Sequence, residues 1–168
     1  MYDCRLLRLC PLGHLQTLKE LRLFGNNLQA MPDCGDGLPN LTILEVHRNE
    51  IPEIPPTFFD GMASLTKLTL SRNKLTGIPA SIAKSQIQTI LLDDNAIEEL
   101  PSEIATMQTM QVLLLNGNKL TNLPAGYLEN DVVTRVNLSG NPIGQCPQVL
   151  QHLKQTCERN GGMYWPPC

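Results

Sequence analysis

An asparagine returns at a nearly fixed interval along this chain, and it constrains the fold more than any other feature. It stands at Asn26, Asn49, Asn73, Asn95, Asn118 and Asn141, with gaps of 23, 24, 22, 23 and 23 residues. Each copy sits in one frame, L-x-x-L-x-L-x-x-N-x-L, clearest in Leu65 to Pro79, LTKLTLSRNKLTGIP. The frame reads Leu18, Leu21, Leu23, Leu28 around Asn26 and Leu41, Leu44, Val46, Ile51 around Asn49. It continues as Ile87, Ile90, Leu92, Ile97, then Met110, Leu113, Leu115, Leu120, then Val133, Val136, Leu138, Ile143. Self-similarity at such a period predicts a solenoid, one supersecondary unit stacked on copies of itself.

The L-x-L centre alternates, so it predicts a short strand with one face inward. Aliphatic residues at the first, fourth, sixth and eleventh positions then point into the solenoid. The asparagine ends the strand where the chain turns inward. Its amide can satisfy backbone groups of neighbouring units, and stacked copies predict a ladder. An aliphatic-proline tail follows at Met31-Pro32, Ile54-Pro55, Ile78-Pro79, Leu100-Pro101 and Leu123-Pro124, with Cys146-Pro147 at the same site. Proline lacks a donor and suits the return, not an inner strand. Spacings of three and four, as in Leu100, Ile104, Met107, Met110, predict single helical or 3₁₀ turns there. The stretches Asp33 to Gly37 and Gly126 to Asp131 read as loops. Strands stack closely on one side and bulkier returns on the other, so the solenoid curves with its strands concave.

The chain starts in mid-unit. Cys4 takes the asparagine site of an earlier repeat, with Leu6 and Leu9 at its later core sites. After Asn141-Pro142 the pattern stops. Pro147 to Arg159 carries Val149, Leu150, Leu153 and Cys157 on one side, which predicts an amphipathic capping helix ended by Gly161-Gly162. Met163 to Cys168 reads as a tail, with Trp165 packed on the cap. The expected divisions are 1–17, a partial repeat; 18–147, six repeats; and 148–168, capping helix and tail.

Outward strand positions form columns. The third position gives Glu20, Ile43, Lys67, Thr89, Val112, Arg135; the fifth gives Arg22, Glu45, Thr69, Leu91, Leu114, Asn137. The seventh gives Phe24, His47, Ser71, Asp93, Asn116, Ser139, and the eighth Gly25, Arg48, Arg72, Asp94, Gly117, Gly140. Strands lie about 4.8 Å apart, so Leu91 and Leu114 should touch, with Val112 alongside. Basic residues Arg48, Arg72, Lys67 and His47 occupy the first half of this face, and Asp93 and Asp94 follow. An apolar cluster rimmed by charge marks a protein contact. The candidate partner surface is therefore Arg22, Phe24, Ile43, Glu45, His47, Lys67, Thr69, Arg72, Leu91, Asp93, Val112, Leu114, Asn116, Arg135 and Asn137.

Other chemistry finds little footing. Net charge is -3, which leaves no basic footprint for nucleic acid. No apolar run reaches the length of a membrane span, and Tyr2, Asp3, Cys4, Arg5 interrupt any signal peptide. No Gly-rich phosphate loop appears, and no cofactor is expected. Ser71, His47 and Asp93 lie in one row, but parallel side chains on a wet face lack a pocket and an oxyanion hole. The chain is read as a non-enzyme. Asp93, Asp94, Glu98 and Glu99 read as a solvated acidic patch, not a metal site. Of the six cysteines, Cys146 reads as a core thiol, and Cys10 and Cys34 fall on the convex side. Cys157 and Cys168 alone could pair, and no C-x-x-C or C-x-C suggests a metal. This usage favours a cytoplasmic protein; the sequons at Asn40 and Asn137 matter only if it is secreted.

With 23-residue units and L-P tails, residues 18 to 147 resemble leucine-rich repeat proteins, and the intracellular Ras-group type of plants and animals in particular. Arg22 to Asn26, RLFGN, is similar to repeat arms that precede kinase domains in some bacterial and algal proteins. NPIGQCPQ lacks the C-x-C of secreted caps, and no catalytic module follows Cys168 in the sequence. The resemblance implies an α/β fold: a leucine-rich repeat horseshoe with a concave parallel sheet, short convex turns and a C-terminal capping helix. It also implies a protein or peptide partner on the concave face. The alternatives are a regulatory arm of a larger signalling protein such as a kinase, or an extracellular recognition module with a Cys157–Cys168 disulfide.

Overall fold

The structure, a computed structural model, describes residues 11–124, 132–144 and 147–167, with Pro147 to Val149 as backbone only. The expectations for Cys4, Leu6, Leu9, Cys10, Gly126 to Asp131, Cys146 and Cys168 lie outside the described residues.

Each L-x-L centre becomes a three-residue strand. These are β1 (Glu20–Arg22), β2 (Ile43–Glu45), β3 (Lys67–Thr69), β4 (Thr89–Leu91), β5 (Val112–Leu114) and β6 (Arg135–Asn137). All pair in parallel and in sequence order, with Leu21, Leu44, Leu68, Ile90, Leu113 and Val136 in one row. That row and the sixth-position row fill the interior. Leu44, Leu68, Ile90, Leu113 and Val136 are fully buried, as are Val46, Leu70, Leu92, Leu115 and Leu138. Leu18, Leu21 and Leu23, in the first unit, are only partly buried.

The asparagines form the expected ladder. Asn95 Nδ2 donates to the Leu92 carbonyl of its own unit at 3.0 Å and to the Leu70 carbonyl of the unit before at 3.1 Å. Its Oδ1 accepts the Leu75 N–H at 3.1 Å. Asn49, Asn73, Asn118 and Asn141 repeat this arrangement on their own neighbours. Each amide thus ties two units together through backbone groups that are buried or partly buried. Asn26 differs: it donates to Leu23 O at 3.0 Å, while its buried Oδ1 meets no donor among the described residues.

On the convex side, 3₁₀ turns span Ala80–Lys84 and Ser102–Thr106. Pro79 and Pro101 precede them in extended conformation, where the fixed proline φ starts the turn without needing a donor. The Asp33 to Gly37 return has neither helix nor strand, as expected, yet Cys34 within it is buried. Phe58 and Phe59, edge-on with centroids 5.2 Å apart, fill the core under their return.

Helix α1 (Pro147–Arg159) closes the stack through Leu153 and Cys157. It ends as the diglycine predicts. The Gly162 N–H reaches Cys157 O at 2.8 Å, the Gly161 N–H reaches Glu158 O at 3.1 Å, and Gly161 has φ +70. That is a Schellman end, which needs a left-handed residue after the cap.

The segment after this helix is not the tail that the sequence suggests. Met163–Trp165 is a seventh strand, β7, parallel to β6 with Arg135, Val136 and Asn137 opposite Met163, Tyr164 and Trp165. The L-x-L pattern stops after Asn141-Pro142, but the sheet does not. Aromatic residues suit a pleated surface as aliphatic ones do, and Gly162 lets the strand approach. A Cβ there would stand 1.6 Å from the Thr134 carbonyl oxygen, which instead accepts the Met163 N–H at 2.9 Å.

Candidate functional site

The concave face is built from side chains that the strand pleat turns away from the core. Register sets them in rows: Glu20, Ile43, Lys67, Thr89, Val112, Arg135, Met163; and Arg22, Glu45, Thr69, Leu91, Leu114, Asn137, Trp165.

Toward the first strands this face is a chain of ion pairs. Arg22 contacts Glu20 at 2.8 Å and Glu45 at 3.3 Å, and Lys67 contacts Glu45 at 2.7 Å. The Lys67 hydrogen bond holds the Glu45 carboxyl below its usual range, with further help from the Lys67 and Arg22 charges. Arg72 reaches Asp94 at 3.4 Å. Of the sorted charges expected from sequence, Lys67 and Arg72 are thus paired across strands. Arg48 and Arg135 form no ion pair among the described residues.

In the seventh-position row, Phe24 is exposed and lies flat against His47, while Asn116 and Ser139 are partly buried. Ser71 donates to Asp93 at 2.5 Å. Serine is bonded to the acid, and the imidazole is stacked on Phe24 with its buried Nδ1 lacking a partner among the described residues. The three residues do not form a proton relay, which needs the imidazole between hydroxyl and carboxylate.

The apolar centre is Leu91 beside Leu114, with Val112 in the adjoining row, each half-buried and Ile43 likewise. Leu91 and Leu114 are partners in register, and each stays partly exposed. Thr69 requires a correction: it is buried, at 7% exposure. Its short side chain lies in register between the longer Glu45 and Leu91. Asn137 is engaged too, accepting from the Ser139 hydroxyl at 2.8 Å and the Ser139 N–H at 3.1 Å. Two residues that periodicity leaves in the tail belong to this surface: Met163, 56% exposed, and Trp165, 38% exposed. The available signal for them is the glycine pair after the helix and the β-favouring Tyr164 and Trp165 behind it.

The eighth-position residues are not part of the pleat. Gly25, Arg48, Arg72, Asp94, Gly117 and Gly140 all have positive φ, between 54 and 71. They make the left-handed corner between strand and asparagine. Glycine in three of the six copies is the sign of it in the sequence.

Elsewhere, a depression lined by Thr76, Glu98, Glu99, Lys119, Thr121 and Asn122 lies beyond the asparagine turns, off the concave rows. Among the described residues no His, Cys, Asp or Glu side chains gather in threes, and no helix is long and apolar enough to cross a membrane. Cys34 and Cys157 are free, buried thiols, and burial pushes the Cys34 thiol up to about 11.

Comparison with known proteins agrees with this geometry. Leucine-rich repeat family models match residues 39–97 and 14–30. The chain is similar to human leucine-rich repeats and immunoglobulin-like domains protein 3, 28% identical over 146 residues, which cover 86% of this chain and 11% of that protein. It is similar to mouse leucine-rich repeats and immunoglobulin-like domains protein 2, 30% identical over 128 residues, covering 75% and 10%. It therefore spans about a tenth of these relatives' length. A solved leucine-rich repeat protein of Leptospira interrogans superposes with a TM-score of 0.77 at 27% identity, over 84% of this chain and 36% of that one. Repeat register, asparagine ladder and these matches together make the chain a member of the leucine-rich repeat proteins.

Proposed function

We propose that the chain is a non-enzymatic interaction module that binds a protein partner on the concave face of its sheet. Leucine-rich repeats generally serve protein–protein contact, and solenoids use their concave surface for it. The observation that carries the reading is the adjacency of Leu91 and Leu114, in register and partly accessible. Apolar tips held on a rigid sheet can be covered by a partner at little ordering cost. The test is affinity capture with wild type and Leu114→Arg. The variant keeps its melting temperature and loses the captured protein; equal capture by a variant that melts normally overturns the reading. A cytoplasmic scaffold or signalling role belongs to the same proposal. It is supported by free buried thiols at Cys34 and Cys157, as a reducing compartment favours. Cell fractionation checks it, and recovery only in the secreted fraction would reverse it.

A second reading, a repeat arm of a longer multidomain protein, is favoured by one observation. The relatives carry immunoglobulin-like domains beside their repeats, and the chain matches about a tenth of their length. Mass spectrometry of the native protein separates the two by its mass.

A further inference from the structure

We infer that the partner presents a carboxylate beside apolar side chains, and that Arg135, Met163 and Trp165 receive it together with Val112, Leu91 and Leu114. This rests on the concave-face reading and adds the chemistry of what binds there.

The first support is continuity. Strand β7 carries Met163 into the row of Val112 and Arg135, and Trp165 into the row of Leu91 and Leu114. Tyr164 between them packs against the core, so the two flanking side chains turn to the concave side. They are among the most exposed large apolar side chains of the described residues, at 56% and 38%. From β4 to β7 the surface runs roughly 14 Å by strand spacing. An extended segment of about five residues covers that span. Tryptophan, methionine and arginine are the residue types enriched where interfaces are buried.

The second support is charge. Arg22 and Lys67 are held by Glu45, and Arg72 by Asp94. Arg135 is exposed, has no ion pair among the described residues, and has apolar Val112 and Met163 as its row neighbours. A purely apolar partner would strip water from this guanidinium and leave it unanswered, which is costly. A basic partner would meet it with like charge. A carboxylate answers it with paired, charge-assisted hydrogen bonds. A second copy of this chain fits poorly, because a two-fold contact must be self-complementary and none of the six patch residues is acidic.

The test is a random peptide library displayed on phage and selected on the full chain, with enriched peptides then synthesised. Peptides are expected to pair Asp or Glu with neighbouring aliphatic or aromatic residues. Arg135→Glu is expected to weaken them about tenfold or more, as loss of a buried charge pair does. Exchanging the peptide's acidic residue for Lys restores binding to Arg135→Glu. Arg135→Gln, a milder change, weakens them in the same direction, and both variants are checked by melting. No acidic enrichment, an empty selection, or unchanged binding to both Arg135 variants overturns the inference. If Leu114→Arg abolishes binding while the Arg135 variants do not, the concave face stands and the carboxylate falls. If all are silent, the concave face falls too. A concentration-dependent dimer sensitive to Arg135→Glu in sedimentation would replace the peptide by a second copy and overturn the proposal.

Discussion

Phe24 lies flat on His47, ring centroids 4.9 Å apart and planes 11° from parallel. Burial lowers the imidazole pKa from about 6.5, with Arg48 and Lys67 adding to it and Glu45 and Asp93 opposing. The unfolded chain then binds more protons below that value. Stability is therefore full above pH about 6.5 and falls as pH drops through it. His47→Gln should flatten that part of the melting profile. In an NMR titration Phe24→Ala should move the His47 midpoint upward, toward 6.5. A midpoint unmoved by Phe24→Ala would show that the stack does not cause the burial.

Asn95→Ala should destabilise by about 1–3 kcal/mol, because the Leu75 N–H loses its acceptor while the Leu70 and Leu92 carbonyls each lose one of two amide donors, Asn73 and Asn118 remaining. Urea denaturation measures this. Asn26→Ala should cost less, since its Oδ1 has no donor to lose among the described residues. Equal midpoints for Asn95→Ala and wild type would remove the ladder from the account of stability.

The left-handed corners reverse the usual ranking of glycine and alanine. At Arg48, φ is +57 and the side chain has no ion pair among the described residues. Arg48→Gly should be more stable than Arg48→Ala by about 1 kcal/mol, whereas in a strand glycine is the weaker residue. Gly117→Ala should cost about 1–2 kcal/mol. It meets the same strain, and its Cβ would stand 2.6 Å from Asp94 Oδ1. Thermal unfolding of the three variants decides it.

Gly162→Ala should detach β7, since the added carbon has no room beside Thr134 O. Trp165 is the sole tryptophan, so its fluorescence should shift to the red and report the change directly. A loss of about 1–3 kcal/mol should accompany it. Unchanged emission would mean that the strand docks without the close approach.

Much of the site is readable before folding. With Ile90 and Leu113 turned inward, alternation puts Leu91 and Leu114 on the opposite face, and the constant period makes them neighbours. Three things are not readable. Thr69 looks like any outward residue, and its burial emerges only once the sheet sets it between the longer Glu45 and Leu91. Lys67 and Arg22 look like free charge until Glu45 is seen between them. Met163 and Trp165 lack the repeat frame, so periodicity cannot place them.

The sequence by itself determined the repeating unit, its inward face and the amide that joins one unit to the next, because these depend on local spacing alone. The tertiary structure decided which outward residues are accessible, which charges are spent on each other, and that β7 extends the face beyond the repeats. Those outcomes depend on side chains a full turn of the solenoid apart, which meet only when the strands stack.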